Sequence, residues 1–176
     1  NGSGRFTDVT FDSGLGEIHY PTQTAAWADY DNDGNLDLYI GNEAGAIKAP
    51  SQLFRNNGDG TFTDRAREAG VMNSSFTKGV TWGDYNDDGF SDLYVSNFRK
   101  DNRLFRNNGD GTFTDVAPQV GVTGPRESFP VWFWDFDNDG ALDLYVSNYG
   151  EGRESLAAVV ANRLGQPTDY QPAHLY

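Results

Sequence analysis

Cysteine is absent from the 176-residue chain, which excludes disulfides, thiolate metal sites and a cysteine nucleophile together. Histidine occurs only as His19 and His174, too little material for a His-rich metal centre or a histidine-based catalytic set. No apolar run approaches the length of a membrane-spanning helix. Positive charge is scarce: 13 Lys and Arg stand against 26 Asp and Glu, a net charge of -13. A surface of that sign repels phosphate backbones, which argues against nucleic-acid binding. Even glutamate is rare, with 20 Asp for 6 Glu. A merely solubilising surface would use both, so the preference for Asp points to turns, caps or oxygen-ligand metal loops. What is plentiful is glycine, 21 residues, and aromatic side chains, 14% of the chain, a mixture suited to strands and tight turns.

Two sequence blocks alternate. The first reads Trp27-Ala-Asp-Tyr-Asp-Asn-Asp-Gly-Asn-Leu-Asp-Leu-Tyr-Ile-Gly-Asn42 and returns in related form at Trp82 to Asn97 and Phe133 to Asn148. The second, Leu53-Phe-Arg-Asn-Asn-Gly-Asp-Gly-Thr-Phe-Thr-Asp64, recurs unchanged at Leu104 to Asp115. Its back half also stands at the N-terminus, and its front edge matches His174-Leu175-Tyr176. The chain therefore reads as a single domain (1–176) of three repeats, approximately 1–56, 57–107 and 108–176.

Alternation and turn signals predict four short strands per repeat, in the first near Ala25 to Asp29, Leu36 to Gly41, Gln52 to Asn56 and Thr61 to Asp64. Asn57-Gly58-Asp59-Gly60 is a hairpin signal, because Asn-Gly and Asp-Gly tolerate positive φ. Four antiparallel strands in about fifty residues is the pattern of a propeller blade. The expected fold class is thus all-β, with three tandem four-stranded propeller-type blades; a Greek-key sandwich is the alternative, but it does not call for a near-identical repeat. The loops between strands two and three hold 43–52, 98–103 and 149–174. The third carries an insertion, 149–172, in which Ser155 to Leu164, closed by Gly165, predicts a short helix.

The strongest chemical motif is Asp-x-Asp/Asn-x-Asp-Gly-x-x-Asp. Its oxygen donors are Asp29, Asp31, Asp33 and Asp37; Asp84, Asn86, Asp88 and Asp92; and Asp135, Asp137, Asp139 and Asp143. Alternate oxygens at positions one, three and five converge on one side of a tight loop, and Gly34, Gly89 or Gly140 permits the turn that follows. The carbonyls of Asn35, Phe90 and Ala141 complete each set. Such hard oxygen suits Ca²⁺, one ion per repeat and three sites in all, better than Mg²⁺ or zinc. Residues 40, 95 and 146 are Ile, Val and Val, so the position-twelve Glu of an EF-hand is missing. A bare solvated turn is the bland reading, but it leaves carboxylates crowded within nine residues to repel one another. Neutral Asn86 predicts a weaker second site.

These residues resemble the FG-GAP/VCBS repeats, the calcium-binding blades of integrin α-chain propellers and bacterial surface proteins. The Leu-Phe-Arg-Asn-Asn-Gly-Asp-Gly block resembles the bacterial branch joined to ASPIC/UnbV domains. The resemblance covers nearly everything except the insertion. It implies a calcium-stabilised β-propeller outside the cell or on its surface, used for adhesion or assembly, with about seven blades in a full ring. Modest site charge also fits millimolar extracellular calcium.

Other features carry plainer expectations. Trp27, Trp82, Trp132 and Trp134 can stack on sugars, but their positions on strand one favour core packing. Asp8, Asp64 and Asp115 are expected to cap the turn after strand four, Arg55 and Arg106 to pair with a neighbouring blade, and His174 to lie at the surface. Asn1 and Asn73 begin glycosylation sequons. Glu127 with Glu151 and Glu154 is the polar cluster nearest to a catalytic arrangement, yet it fits no motif, so no catalytic residue is assigned. A glycan or protein ligand is expected, if anywhere, on the face of the insertion, away from the metal loops. Residues 4–8 read as a fourth strand without its sheet, and the third repeat as a sheet without its fourth strand. Two complementary edges predict head-to-tail strand addition between copies, into a ring or filament. The competing reading is a glycan- or protein-binding piece of a larger seven-bladed propeller.

Overall fold

The computed structural model describes residues 2, 4–45, 48–148, 160, 163–165 and 172–176. The insertion, its expected helix, Glu151 and Glu154 fall largely or wholly outside the described residues.

The chain folds into three antiparallel sheets. The first has the order β1(Thr22–Ala28), β2(Asp37–Asn42), β3(Gln52–Asn56), β4(Phe62–Asp64). The second repeats it with β5(Thr77–Gly83), β6(Asp92–Asn97), β7(Arg103–Asn107) and β8(Phe113–Asp115). A single helical turn, α1(Ala117–Val120), follows β8 and ends on Gly121 in the left-handed region at φ 81°. The third sheet holds β9(Ser128–Trp134), β10(Asp143–Asn148) and β11(His174–Leu175). It has three strands among the described residues, not the four of a full repeat. Residues 5–9 form no strand, and the Phe6 side chain is fully exposed.

The sheets pack face to face through their first strands, β1 against β5 and β5 against β9. β6 lies in the middle and is buried along its whole length. Its period-two alternation then serves two cores. Leu93 and Val95 join Tyr39, Leu53, Val71, Val80 and Phe105 between the first and second sheets. Tyr94 joins Leu104, Val122, Val131, Leu144 and Val146 between the second and third. Two buried tyrosine hydroxyls find the backbone of the connection after strand four: Tyr39 donates to Val71 at 2.9 Å and Tyr94 to Val122 at 2.7 Å. That pairing lets a polar group sit inside an apolar core.

The capping role of the three repeated aspartates holds. Asp8, Asp64 and Asp115 accept the backbone N–H two residues on, from Thr10, Ala66 and Ala117, at 3.0 to 3.2 Å. The tryptophans divide differently from expectation. Only Trp82 packs against a core cluster, and its indole donates to the Ala26 carbonyl of the first sheet. Trp27 is 53% exposed on the outer side of the first sheet. Trp132 and Trp134 flank Phe133, which packs against the second core, and so point to the opposite side. There Trp132 stacks on Tyr145 at 4.6 Å between ring centroids. The positions that match them in the other sheets hold Ala26 and Ala28, or Thr81 and Gly83, small enough for the next sheet to close on them.

Asn73 is buried, and its side-chain amide donates to Thr77 Oγ1 and Asn97 Oδ1, both at 2.8 Å. A glycan on that nitrogen is incompatible with this packing. His174 is half-buried beside Tyr176, and burial lowers its pKa.

Candidate metal centre

Each Asp-rich loop joins strand one to strand two of its sheet. The local fold follows from one aspartate acting as a staple. Asp29 Oδ1 accepts the Asp33 N–H at 3.0 Å, and Oδ2 accepts the Gly34 N–H at 2.9 Å. Asp84 holds Asp88 and Gly89 in the same way, and Asp135 holds Asp139 and Gly140. Two residues per loop adopt positive φ to make the curl: Asn32 with Gly34, Asp87 with Gly89, and Asn138 with Gly140. Asn, Asp and Gly are the residues that tolerate this region. The position-five aspartates then accept the N–H two residues on, from Asn35, Phe90 and Ala141, at 2.8 to 3.0 Å.

The aspartate at position nine ties the loop to its sheet. Asp37 Oδ2 accepts the Tyr30 N–H at 3.2 Å, and Oδ1 accepts the Asn56 N–H at 2.8 Å. Asp92 does the same with Tyr85 and Asn107, and Asp143 accepts from Phe136. Asn56 and Asn107 belong to the unchanged second block. Their side chains donate to Leu36 and Ser91 carbonyls and accept from Gly58 and Gly109 N–H groups. Strand three therefore braces the metal loop, a role that the sequence signalled only by the identity of the two copies. Across sheets, Asn32 donates to Gly89 and Asn107 to Tyr30, so the first two loops touch.

Burial dominates the electrostatics. Asp37 and Asp92 are fully buried, and burial pushes each carboxyl up to about 6. Neighbouring loop carboxylates add to the shift. Asp33 goes the other way, held low chiefly by the Asn35 N–H. Carboxylate oxygens of Asp29, Asp31 and Asp37 lie within 4.8 Å of one another, as do those of Asp135, Asp137 and Asp139. Asp31 Oδ1 is buried and finds no donor among the described residues. An orphaned carboxylate oxygen beside two others is a place for a cation rather than for another hydrogen bond. The second loop, with Asn86 at position three, gathers no such carboxylate triplet among the described residues. Asn86 instead donates to Asp88 Oδ2 at 2.9 Å.

Arg55 does not reach a neighbouring sheet. It turns into the loop of its own repeat, with Nε 2.6 Å from Asp31 Oδ2 and Nη2 2.6 Å from Asp33 Oδ2. The bond to Asp31 raises the Arg55 pKa further. Glu127 lies beside Arg99.

Fold and loops together define an all-β repeat protein with an oxygen-lined acidic loop at the head of each sheet. The FG-GAP-like repeat family matches residues 29–95 and 84–146, and the chain belongs to that family. The chain is also similar to cartilage acidic protein 1. The human protein is 35% identical over 139 residues, which cover 74% of this chain and 20% of that protein. The Xenopus tropicalis protein is 36% identical over 121 residues, 66% of this chain and 18% of that protein. The mouse protein is 35% identical over 139 residues. The chain thus spans about a fifth of the length of these relatives.

Proposed function

We propose that the chain is a calcium-stabilised repeat module of an extracellular protein, built as propeller-type blades and serving adhesion or assembly rather than catalysis. The observation that carries this reading is the buried, donorless Asp31 Oδ1 within a triplet of carboxylates, on a loop scaffold repeated three times. Asp29, Asp31, Asp33, the Asn35 carbonyl and Asp37 would hold the first ion. Asp84, Asn86, Asp88, the Phe90 carbonyl and Asp92 would hold the second. Asp135, Asp137, Asp139, the Ala141 carbonyl and Asp143 would hold the third. Family membership and relatives named for cartilage support an extracellular setting, where calcium is abundant enough for such sites.

A calorimetric calcium titration tests this, and its pH dependence has a definite sign. Asp37 and Asp92 bind protons in the cation-free fold up to about pH 6. An unfolded chain would release them near pH 4. The cation-free protein therefore loses stability from these two groups as pH rises from about 4 through 6, and it keeps that cost above. Calcium must displace the protons below pH 6. Binding at pH 7.5 should weaken, with proton release, when the titration is repeated at pH 5. No binding at pH 7.5 would refute the reading; affinity that rises on acidification would refute the role of the buried pair.

Two partner readings have observations behind them. β11 presents an outer edge unpaired among the described residues, while Phe6 is exposed where its counterparts Phe62 and Phe113 sit in strands. Strand addition by residues 4–8 of another copy fits both. In that case deleting 1–8 should turn a sedimenting oligomer into a monomer; a monomeric 1–176 chain at high concentration in calcium would exclude it. The alternative, a glycan- or protein-binding part of a larger propeller, is favoured by a pocket of about 550 Å³ lined by Phe76, Lys78, Phe98, Arg99 and Phe129. It opens at the strand ends opposite the metal loops.

A further inference from the structure

Arg55 sits on the first metal loop in a way that has consequences for its affinity, given the calcium reading above. We propose that Arg55 is a tethered counter-cation that sets the calcium affinity of the first loop below that of the same loop without it.

The guanidinium does not grip one carboxylate from two sides. It bridges two, Asp31 and Asp33, which are the position-three and position-five donors. The β3 register fixes where it can reach. Arg55 pairs with Thr63, and the next residue along, Asn56, donates its N–H to Asp37 at the base of the loop. The hairpin that braces the loop therefore also delivers a positive charge to it. All three side chains are partly shielded, with 35% of Arg55, 18% of Asp31 and 26% of Asp33 exposed.

The bridge changes which oxygens are left. Asp33 Oδ1 accepts the backbone and side-chain N–H groups of Asn35, each at 2.9 Å, and Oδ2 accepts Arg55. Both Asp33 oxygens are thus engaged. The cluster remaining in the first loop is Asp29, Asp31 and Asp37. In the third loop position five is inside the cluster, as Asp139, and position nine is not. In the second loop Arg106 occupies the matching place, but position three is an amide, which offers no second carboxylate to bridge.

Without calcium, Arg55 neutralises carboxylates that would otherwise repel one another. With calcium bound, two cations share the same carboxylates at short range, and they repel. Arg55 therefore holds the cation-free loop closed and opposes the ion. These opposite signs separate it from a residue that merely supports the fold, whose loss weakens both states.

The experiment is site-resolved. The ¹⁵N-labelled full chain is stripped of cations and titrated with calcium while the amides of Gly34, Gly89 and Gly140 are followed by NMR. In Arg55→Gln, affinity read at Gly34 should rise about fivefold or more. Gly89 and Gly140 should keep their values, and the cation-free melting temperature should fall. Unchanged or weaker binding at Gly34 overturns the proposal. Arg55→Lys keeps the charge and should stay within about twofold of the wild type; a fivefold rise there overturns it as well, and this variant serves if the Gln variant does not fold. Silence at all three glycines in the wild-type chain would instead refute calcium binding itself, and this proposal with it.

Discussion

Chelation of divalent cations is expected to lower the melting temperature by about 5–10 °C or more, with calcium restoring it and equal magnesium restoring it poorly. An ion bound only by the folded state at about a hundred times its dissociation constant stabilises by about 2.7 kcal/mol per site. For a domain of this size each kcal/mol is worth about 2–4 °C. The loops are also structural joints. Asp37 and Asp92 lie fully buried and tie each loop to the N–H of the last residue of strand three. A cation-free loop keeps those buried charges at neutral pH with only two backbone N–H groups each to offset them. Thermal melts in chelator and in calcium decide the matter, and equal melts would remove the metal from the account. Among single changes, Asp29→Ala and Asp135→Ala should cost more than Asn86→Ala. Each of those aspartates also accepts two backbone N–H groups that staple its loop, whereas Asn86 donates one side-chain bond.

Gly79→Ala should destabilise the chain by about 1–3 kcal/mol, read as a lower denaturant midpoint at unchanged slope. β5 and β9 pack closely here. A Cβ at Gly79 would stand 2.6 Å from the Phe129 carbonyl oxygen and 2.9 Å from Ser96 Oγ. The nearer obstacle is backbone, and it is anchored, because that carbonyl accepts the Ser96 hydroxyl at 2.6 Å. The strand cannot yield without separating the second and third sheets, whose shared core holds Tyr94 and Val131. An alanine variant as stable as the wild type would show that the sheets are less closely fitted than this.

Much of this was legible because it is local. β3 runs from Gln52 to Asn56 as alternation predicted, and strands one, two and four differ from prediction by a few residues at their ends. The aspartate caps close over two residues and the loop staples over four or five, so their partners are fixed by spacing along the chain. Strand pairing in each repeat is hairpin-like and follows the chain order. Asn73 shows the limit of motif reading. The sequon was visible, but the two side chains that bury its amide come from β5 and β6.

The repeat, the class of the strands, the acidic loops and their curl can be read along the chain, because each rests on contacts between near neighbours. Which faces are covered and which oxygens are free depends instead on how the sheets stack and on the register of their strands. Trp27, Trp82, Trp132 and Trp134 look alike on strand one, but a side chain is buried only where another sheet lies against its face, and that depends on the sheet's place in the stack. Arg55 looked like a bridge to a neighbouring sheet because nothing in its spacing says where a long side chain turns. The register of β3 beside the loop turns it onto Asp31 and Asp33, leaving Asp31 Oδ1 as the oxygen without a donor.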